Sequence, residues 1–202
     1  MLTCFHARST ARTVSITTLD AETLKGWRGG ERRWLDDIGF AAAPGELALL
    51  PGADGRLGRV LVGIGDDDPL WALAGLPSAL PPGRYRLTPE PPPGDAGRAA
   101  LGWALGSYRF DRYKAHGDDG GKVTGLVWPH RADRAAVARA AEAVFLGRDL
   151  INTPAADMGP AELAEAAQAV ARAHRAAFKV ILGRDLLRLD FDHHRVHRPT
   201  FG

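Results

Sequence analysis

The sequence predicts an α/β fold. Short β-like runs alternate with helix-like runs through the first 130 of its 202 residues, which is the pattern of layered helices and strands. Hydrophobic residues make up 45% of the chain and charged residues 25%. A chain of this length and composition can bury one substantial core and carry a smaller appended unit.

The first predicted strand is Val14–Leu19, because its β-branched residues favour extended backbone. Asp20 follows it and predicts the N-cap of a helix that runs through Trp27. The next two apolar runs, 46–50 and 59–64, are each short and each ended by turn residues. This pair predicts a β-hairpin.

Asp68 and Pro69 predict the start of a helix, since proline suits the first helical position, and Pro77 limits that helix. The proline-rich residues 77–94 predict a surface connection without a function of its own, around one short strand at 85–87. A buried helix follows at 97–110, with apolar residues at helical spacing. The glycine-rich segment 117–121 predicts a turn, and 122–128 the last strand of the first domain.

Asp133 predicts the cap of a linker helix through Gly147. Its apolar stripe is wide enough to pack on two sides and comprises Ala136, Val137, Ala140, Ala141, Val144 and Phe145. A further helix begins near Pro160, and residues 178–183 predict a strand. Residues 160–183 therefore form one αβ unit, which must dock on something because it cannot bury both faces alone.

Charge and cysteine content narrow the class of protein. The net charge of +2 comes from 26 basic and 24 acidic residues scattered without blocks, which does not favour a nucleic-acid partner. Cys4 is the only cysteine, which excludes an intrachain disulfide and a multi-cysteine zinc site and fits a reducing compartment. No run approaches the roughly 18 apolar residues of a membrane span. We therefore expect a cytoplasmic protein without a membrane partner.

Residues near the C-terminus could be interpreted as metal ligands, namely Asp190, Asp192, His193, His194 and His197. His193 and His197 would share a helix face, as ligand pairs can. Pro199 and the absence of an apolar framework favour a solvated tail instead. The remaining histidines, at 6, 116, 130 and 174, are isolated and do not favour a general base.

Residues 63–68 follow a predicted strand and precede a predicted helix, which invites a phosphate-loop interpretation. Carboxylates at a helix N-terminus take the place of an anion, and the three adjacent aspartates Asp66–Asp68 cannot all point at one cation. Capping is therefore the better explanation. Among the tryptophans, Trp71, Trp103 and Trp128 are predicted in the core, and Trp27 and Trp34 at a domain or subunit surface.

Three segments resemble the leucyl aminopeptidase family, in particular its bacterial, peptidase B-like branch. They are 71–77, 101–110 and 148–154, the last reading Arg-Asp-Leu-Ile-Asn-Thr-Pro. The similarity covers roughly residues 5–190. In that family a segment like 148–154 joins an N-terminal accessory domain to the catalytic domain.

The resemblance implies a macro-domain-like domain, a mixed sheet flanked by helices, over residues 1–130. It implies a linker helix and junction at 131–151, the start of an incomplete catalytic domain at 152–191, and a divergent, disordered tail at 192–202. Family members form hexamers and release N-terminal amino acids from peptides with two divalent metals, zinc or manganese. The metals polarise the scissile carbonyl and generate a hydroxide nucleophile.

The family's ligand segments, an Asn-Thr-Asp-Ala-Glu-Gly-Arg stretch and a lysine followed closely by aspartates, are absent. Asn152-Thr153-Pro154 shares only two letters with the first, and Lys179 is followed by Val180-Ile181-Leu182. No catalytic, cofactor-binding or metal residue is assigned. We expect a truncated aminopeptidase, from a frameshift or premature stop, that is inactive alone and meets peptides only through the missing domain.

The main alternative is a stand-alone module. It would form homo-oligomers, associate with full-length aminopeptidase, or bind a nucleotide-like ligand. A small hydrolase with an unrecognised site is the least supported, because no nucleophile, base and oxyanion donor converge in the sequence.

Overall fold

The computed structural model describes residues 2–28, 30–65, 68–114, 124–183 and 185. The chain divides into two compact units, Met1–Asp149 and Leu150–Gly202. Every strand formed by the described residues lies in the first unit. The turn predicted at 117–121 and the disordered tail predicted at 192–202 fall outside the described residues.

The first unit is built on a six-stranded sheet in the order β1-β6-β5-β2-β4-β3. Its strands are β1 Phe5–His6, β2 Val14–Leu19, β3 Leu47–Pro51, β4 Leu57–Gly63, β5 Gly83–Leu87 and β6 Thr124–Val127. Neighbouring strands are parallel except for the β3–β4 hairpin, which is antiparallel. The predicted hairpin is confirmed, and so is the α/β class with a mixed sheet flanked by helices.

Helices cover both faces of this sheet. They are α1 Ala21–Lys25, α2 Gly30–Asp37, α3 Pro69–Ala74, α4 Leu76–Ala79, α5 Pro93–Gly106 and α6 Arg134–Asn152. Alternate residues of β4 supply the two cores, because successive side chains of a strand point to opposite faces. Val60 and Val62 join the cluster with Leu73 and Trp103, whereas Leu61 joins a separate cluster with Leu35.

Aspartates cap three of these helices as the sequence predicted. The Asp20 carboxylate accepts a hydrogen bond from the Thr23 N–H at 2.7 Å, which lowers the pKa of Asp20. Asp68 accepts from the Leu70 N–H at 2.9 Å, and Asp133 accepts from two backbone N–H groups of α6. Each bond satisfies a donor that the first helical turn would otherwise leave unpaired.

Helices α3 and α5 pack unusually close together. A Cβ atom on Gly102 would lie 2.0 Å from the Leu70 carbonyl oxygen, and one on Gly106 would lie 1.8 Å from the Ala74 oxygen. These two glycines of α5 therefore permit the backbone of α3 to approach. The helix was predicted at 97–110 but occupies 93–106, because Pro93 already suits its first turn.

Several predictions about the first unit are wrong or incomplete. Trp71 is 70% exposed rather than buried, since α3 contacts α5 through other residues. Trp103 is fully buried as predicted, while Trp128 is half-buried and stacks on Phe5. Trp34 is exposed and Trp27 half-buried. Strand β1 and helix α2 had no prediction, and the short helix α4 lies mostly within the segment 77–94 that was predicted to be a surface connection.

The linker helix α6 is longer than predicted and buries one side only. It continues past Gly147 to Asn152, so most of the junction segment is helical. Val137 and Ala141 are buried, but Ala140 and Val144 of the predicted two-sided stripe are exposed.

The second unit holds helix α7, Pro160–Ala173. Its start matches the prediction, and the Glu162 carboxylate accepts a hydrogen bond from the Gly159 N–H at 2.9 Å. The strand predicted at 178–183 is wrong. No described residue pairs with this segment, and a β-strand exists only through hydrogen bonds to a neighbour. Phe178, Val180 and Leu182 are all exposed.

Candidate functional site

A cleft of about 240 Å³ lies at the carboxyl ends of the parallel strands β2, β4 and β5. It is lined by Ile16, Thr18, Ile64, Pro69, Ala72, Leu73, Leu87, Pro89, Glu90, Pro91, Pro92, Asp95 and Ala99. From β2 the chain adds β4 on one side and β5 on the other. Ligands of open α/β sheets bind in such a crevice, where the strand order reverses.

The floor of the cleft is aliphatic, and prolines form one part of its rim. Ile16, Leu73 and Ala99 are almost completely buried beneath it and belong to the main core cluster. Pro89, Pro91 and Pro92 form part of the rim. Proline fixes its own φ angle, so this rim loses little freedom when a ligand binds.

Two carboxylates give the cleft its charge. The Glu90 carboxylate accepts a hydrogen bond from the backbone N–H of His130 at 3.3 Å. Asp95 lies in the first turn of α5, where the helix dipole favours a negative side chain. Thr18 supplies a hydroxyl, and none of the described lining residues is basic. The cleft therefore presents an apolar floor beneath an acidic rim.

The structure supports capping rather than phosphate binding at 63–68. Asp68 caps α3 and also forms an ion pair with Arg98. Gly63 is needed for packing, because a Cβ atom there would lie 2.1 Å from the Ala43 carbonyl oxygen. Asp66 and Asp67, two of the three aspartates considered above as ligands of a cation, lie outside the described residues.

A second cavity of about 320 Å³ contains the only cysteine. It is lined by Leu2, Thr3, Cys4, Ser107, Glu142 and Phe145. Burial raises the pKa of the Cys4 thiol, although a hydrogen bond with Ser107 opposes this shift. A thiol is nucleophilic only as thiolate, so Cys4 is a packing residue of the core rather than a nucleophile.

The histidines remain dispersed. His6 on β1 is partly buried, and its burial together with the charge of Arg84 lowers the pKa of the imidazole. Its ring lies against Gly125, where a Cβ atom would be 2.4 Å from Nε2. His130 and His174 are exposed on separate elements, and His116 and the histidines of the tail fall outside the described residues.

The positions of the possible ligand side chains show whether the described residues could hold a metal ion. Across the parts of the chain that the structure describes, no group of three or more His, Cys, Asp or Glu side chains is placed to hold a metal ion. The described residues therefore do not fit the two-metal centre that the family resemblance implies. The possible metal ligands at 190–197 lie outside the described residues.

The first residues of the junction segment fasten α6 to the end of α5. Arg148 donates a hydrogen bond to the Leu105 carbonyl at 2.8 Å, and its guanidinium lies 5.2 Å from the centre of the Tyr108 ring. The Tyr108 hydroxyl donates to the Asp149 carboxylate at 2.7 Å, and the Phe145 ring packs on Tyr108. A cation beside the last carbonyls of a helix is favourable. The sequence identified the junction segment by its resemblance to a family but did not predict these contacts.

Residues 14–125, more than half of the chain, match the family model of the M17 aminopeptidase N-terminal domain. The chain belongs to the M17 aminopeptidase family. A probable cytosol aminopeptidase of Streptomyces avermitilis is 31% identical over 187 residues, a match that covers 78% of this chain and 36% of that protein. The resemblance to the leucyl aminopeptidase family is thereby confirmed.

Solved M17 structures share the fold. The cytosol aminopeptidase from Coxiella burnetii superposes with a TM-score of 0.76 at 31% identity, over 92% of this chain and 41% of that one. The bottromycin maturation enzyme BotP, in complex with Mn, gives 0.68 at 28% identity, over 89% of this chain and 40% of that one. The M17 chain described here spans about a third of the length of its curated relative.

No described helix of this M17 chain combines the length and the hydropathy needed to cross a bilayer.

Sequence interpretation missed the residues that line the cleft. Residues 77–94 were expected to be a connection without function, yet Leu87 to Pro92 supply much of one wall. The available signal was Glu90 beside a run of prolines, followed by Asp95 at a helix start. It could not identify a cleft, because the opposite wall comes from distant segments at 16–18 and 64–73.

Proposed function

We propose that this chain serves as the N-terminal, accessory part of a leucyl aminopeptidase-like metallopeptidase and does not hydrolyse peptides by itself. Release of N-terminal amino acids with two divalent metals, zinc or manganese, belongs to a catalytic domain whose ligand segments this sequence lacks. The proposed arrangement keeps an accessory domain at 1–130, a linker at 131–151 and the start of the catalytic domain at 152–191. Its proposed location is the cytoplasm.

The match to an N-terminal domain model carries this proposal. The similarity to the Streptomyces and Coxiella aminopeptidases covers most of this chain but only 36% and 41% of theirs. The donor groups of the described residues do not converge on a metal site. These observations favour an accessory role over a catalytic one.

The activity assay uses a leucine chromogenic amide with the purified chain, with and without manganese or zinc. A thermal melt first establishes that the protein is folded, and a full-length cytosol aminopeptidase assayed in parallel shows that the substrate and metals are adequate. We expect no turnover above the metal-only blank. Metal-dependent turnover by the cooperatively melting chain, removed by a chelator, would overturn the proposal.

A stand-alone assembly module is the second candidate, and the exposed apolar residues of the second unit favour it. Leu163 and Val170 lie on one stripe of α7 and are 52% and 39% exposed. Phe178, Val180 and Leu182 follow at alternate positions and are also exposed. Apolar surface of this kind is stabilised when a partner covers it, such as the catalytic domain of a full-length aminopeptidase.

Light scattering after gel filtration of the chain mixed with a full-length aminopeptidase tests this second candidate. Replacing the stripe by Leu163→Glu with Val170→Glu should abolish co-elution, because a buried carboxylate without a partner is costly. The control pair Ala161→Glu with Ala169→Glu adds the same charge at exposed positions outside the stripe. Absence of co-elution for the unmodified chain, or equal loss in both pairs, would contradict an assembly role of this face.

A further inference from the structure

We propose that the cleft at the carboxyl ends of β2, β4 and β5 binds a small molecule that combines a branched aliphatic group with an ammonium group. This site lies wholly within the first unit. It would exist whether or not the chain serves an aminopeptidase, so the binding proposal and the accessory role can fail separately.

The size and lining of the cleft limit the body of the ligand. Its volume of about 240 Å³ is below the roughly 300–1,000 Å³ of drug-sized pockets, so the ligand has few non-hydrogen atoms. Ile16, Leu73 and Leu87 provide aliphatic contacts. None of the described lining residues is aromatic, so the cleft offers no stacking surface for a nucleobase.

The charge of the cleft selects the ligand's polar group. Glu90 and Asp95 lie on its rim, and the nearest turn of α5 places its cation, Arg98, in an ion pair with Asp68. The Asp95 carboxylate forms no hydrogen bond or ion pair with any residue that the structure describes, whereas its backbone N–H donates to the Pro92 carbonyl. An ammonium group has three donors, which suit carboxylate oxygens and a hydroxyl such as that of Thr18. A phosphate or carboxylate would be repelled.

Three molecules that share one carbon skeleton but differ in charge distinguish the effect of ligand charge from the effect of ligand shape. They are 3-methylbutylamine, 3-methylbutan-1-ol and 3-methylbutanoate, which present a cation, a neutral hydroxyl and an anion. Each is titrated into the isotopically labelled full chain, and amide NMR signals of Thr18, Leu87 and Ala99 are followed. We expect the amine to bind most tightly, the alcohol less tightly and the acid least.

Charge-removing variants identify the responsible groups. Glu90→Gln and Asp95→Asn should each weaken amine binding roughly threefold, the effect of losing an exposed ion pair, and leave alcohol binding unchanged. Glutamine retains an acceptor for the His130 N–H. The matched controls Asp37→Asn and Glu165→Gln remove exposed carboxylates outside the cleft and should change neither ligand.

A cavity-filling variant tests the location. Ala72→Leu adds bulk at a half-buried lining position and should abolish binding of the amine, whereas Ala140→Leu adds it at an exposed position of α6 and should not. If Ala72→Leu does not fold, the two charge variants still decide the question, since their positions are not part of the buried core.

Three results would overturn the proposal. No signal changes with any of the three molecules would mean that the cleft is not a binding site. Equal binding of amine, alcohol and acid would remove the role of the carboxylates. Adenosine monophosphate or the acid shifting the same signals more strongly than the amine would indicate an anion site instead.

Discussion

The two units of the molecule differ in how completely each buries its apolar residues. In the first unit, strand β4 is covered on both faces, with Val60, Leu61 and Val62 all inaccessible to solvent. In the second unit, Ala171 is the only buried residue of α7, and Leu163 on the same helix is 52% exposed. Yet the apolar residues of α7 recur at helical spacing, as they do in helices of the first unit.

The difference shows what local sequence can determine. Pro160 and the Glu162 carboxylate start α7 through contacts within one turn, so the helix forms without a distant partner. The run at 178–183 has the composition of a strand but lacks a neighbouring strand among the described residues. Helical hydrogen bonds are internal to the segment, whereas those of a strand are not.

Replacing a leucine by alanine in each unit should give the largest difference in the loss of unfolding free energy. Leu61→Ala removes a fully buried side chain from β4 and should lower the free energy of unfolding by about 2–5 kcal/mol. Leu163→Ala on α7 should change it by less than ~0.5 kcal/mol, since a half-exposed side chain leaves no cavity. Urea unfolding followed by circular dichroism measures both.

A loss of more than about 2 kcal/mol for Leu163→Ala would break the comparison, because only a buried residue produces it. The α7 stripe would then be covered in solution, by a second copy of the chain or by another segment. Repeating the measurement at several protein concentrations separates these cases, since only an oligomer has concentration-dependent stability.

The next largest effect concerns the glycines of α5. Gly102→Ala places a Cβ atom 2.0 Å from the Leu70 oxygen, so α3 must move, at a cost of about 1–3 kcal/mol. Gly97→Ala is the matched control on the same helix, where a Cβ atom meets nothing within 4 Å. It should stabilise the protein by roughly 0.5–1 kcal/mol, because alanine is the better helix former. Equal melting temperatures for the two variants would contradict the close approach of α3.

Much of the first unit was predictable because its signals are local. Asp20, Asp68 and Asp133 each cap a helix through a bond to a residue two or three positions away. The exposure of Trp71 was not predictable in the same way, although the burial of Trp103 was predicted correctly. Which side of α3 is covered depends on how α3 meets α5, at a contact where Gly102 and Gly106 permit a close approach.

The candidate site was less predictable than the fold. Thr18 belongs to a strand end that is far in sequence from the loop and the helix start that hold Glu90 and Asp95. Sequence similarity identified the family through other segments, including 148–154, and the contacts of Arg148 and Tyr108 show that part of this segment is structural. A family resemblance therefore located the domain without indicating what its cleft binds.

The smallest predicted effect is a pH dependence that belongs to the first unit alone. The pKa of His6 is lowered in the folded protein by burial and by Arg84. Between the lowered value and the unfolded value near ~6.5, the unfolded chain therefore binds more protons than the folded one. Stability from this group is fully present above the unfolded pKa and is lost as the pH falls through that interval.

The variant His6→Gln isolates this effect from the other histidines. The difference in unfolding free energy between the unmodified chain and the variant should shrink as the pH is lowered from 7.5 to 5.5, since glutamine does not titrate. Asp20 acts in a separate window, because its pKa is lowered and its contribution disappears only below its unfolded value near ~3.9. A difference that stays constant from pH 7.5 to 5.5 would mean that β1 leaves His6 as solvated in the folded chain as in the unfolded one.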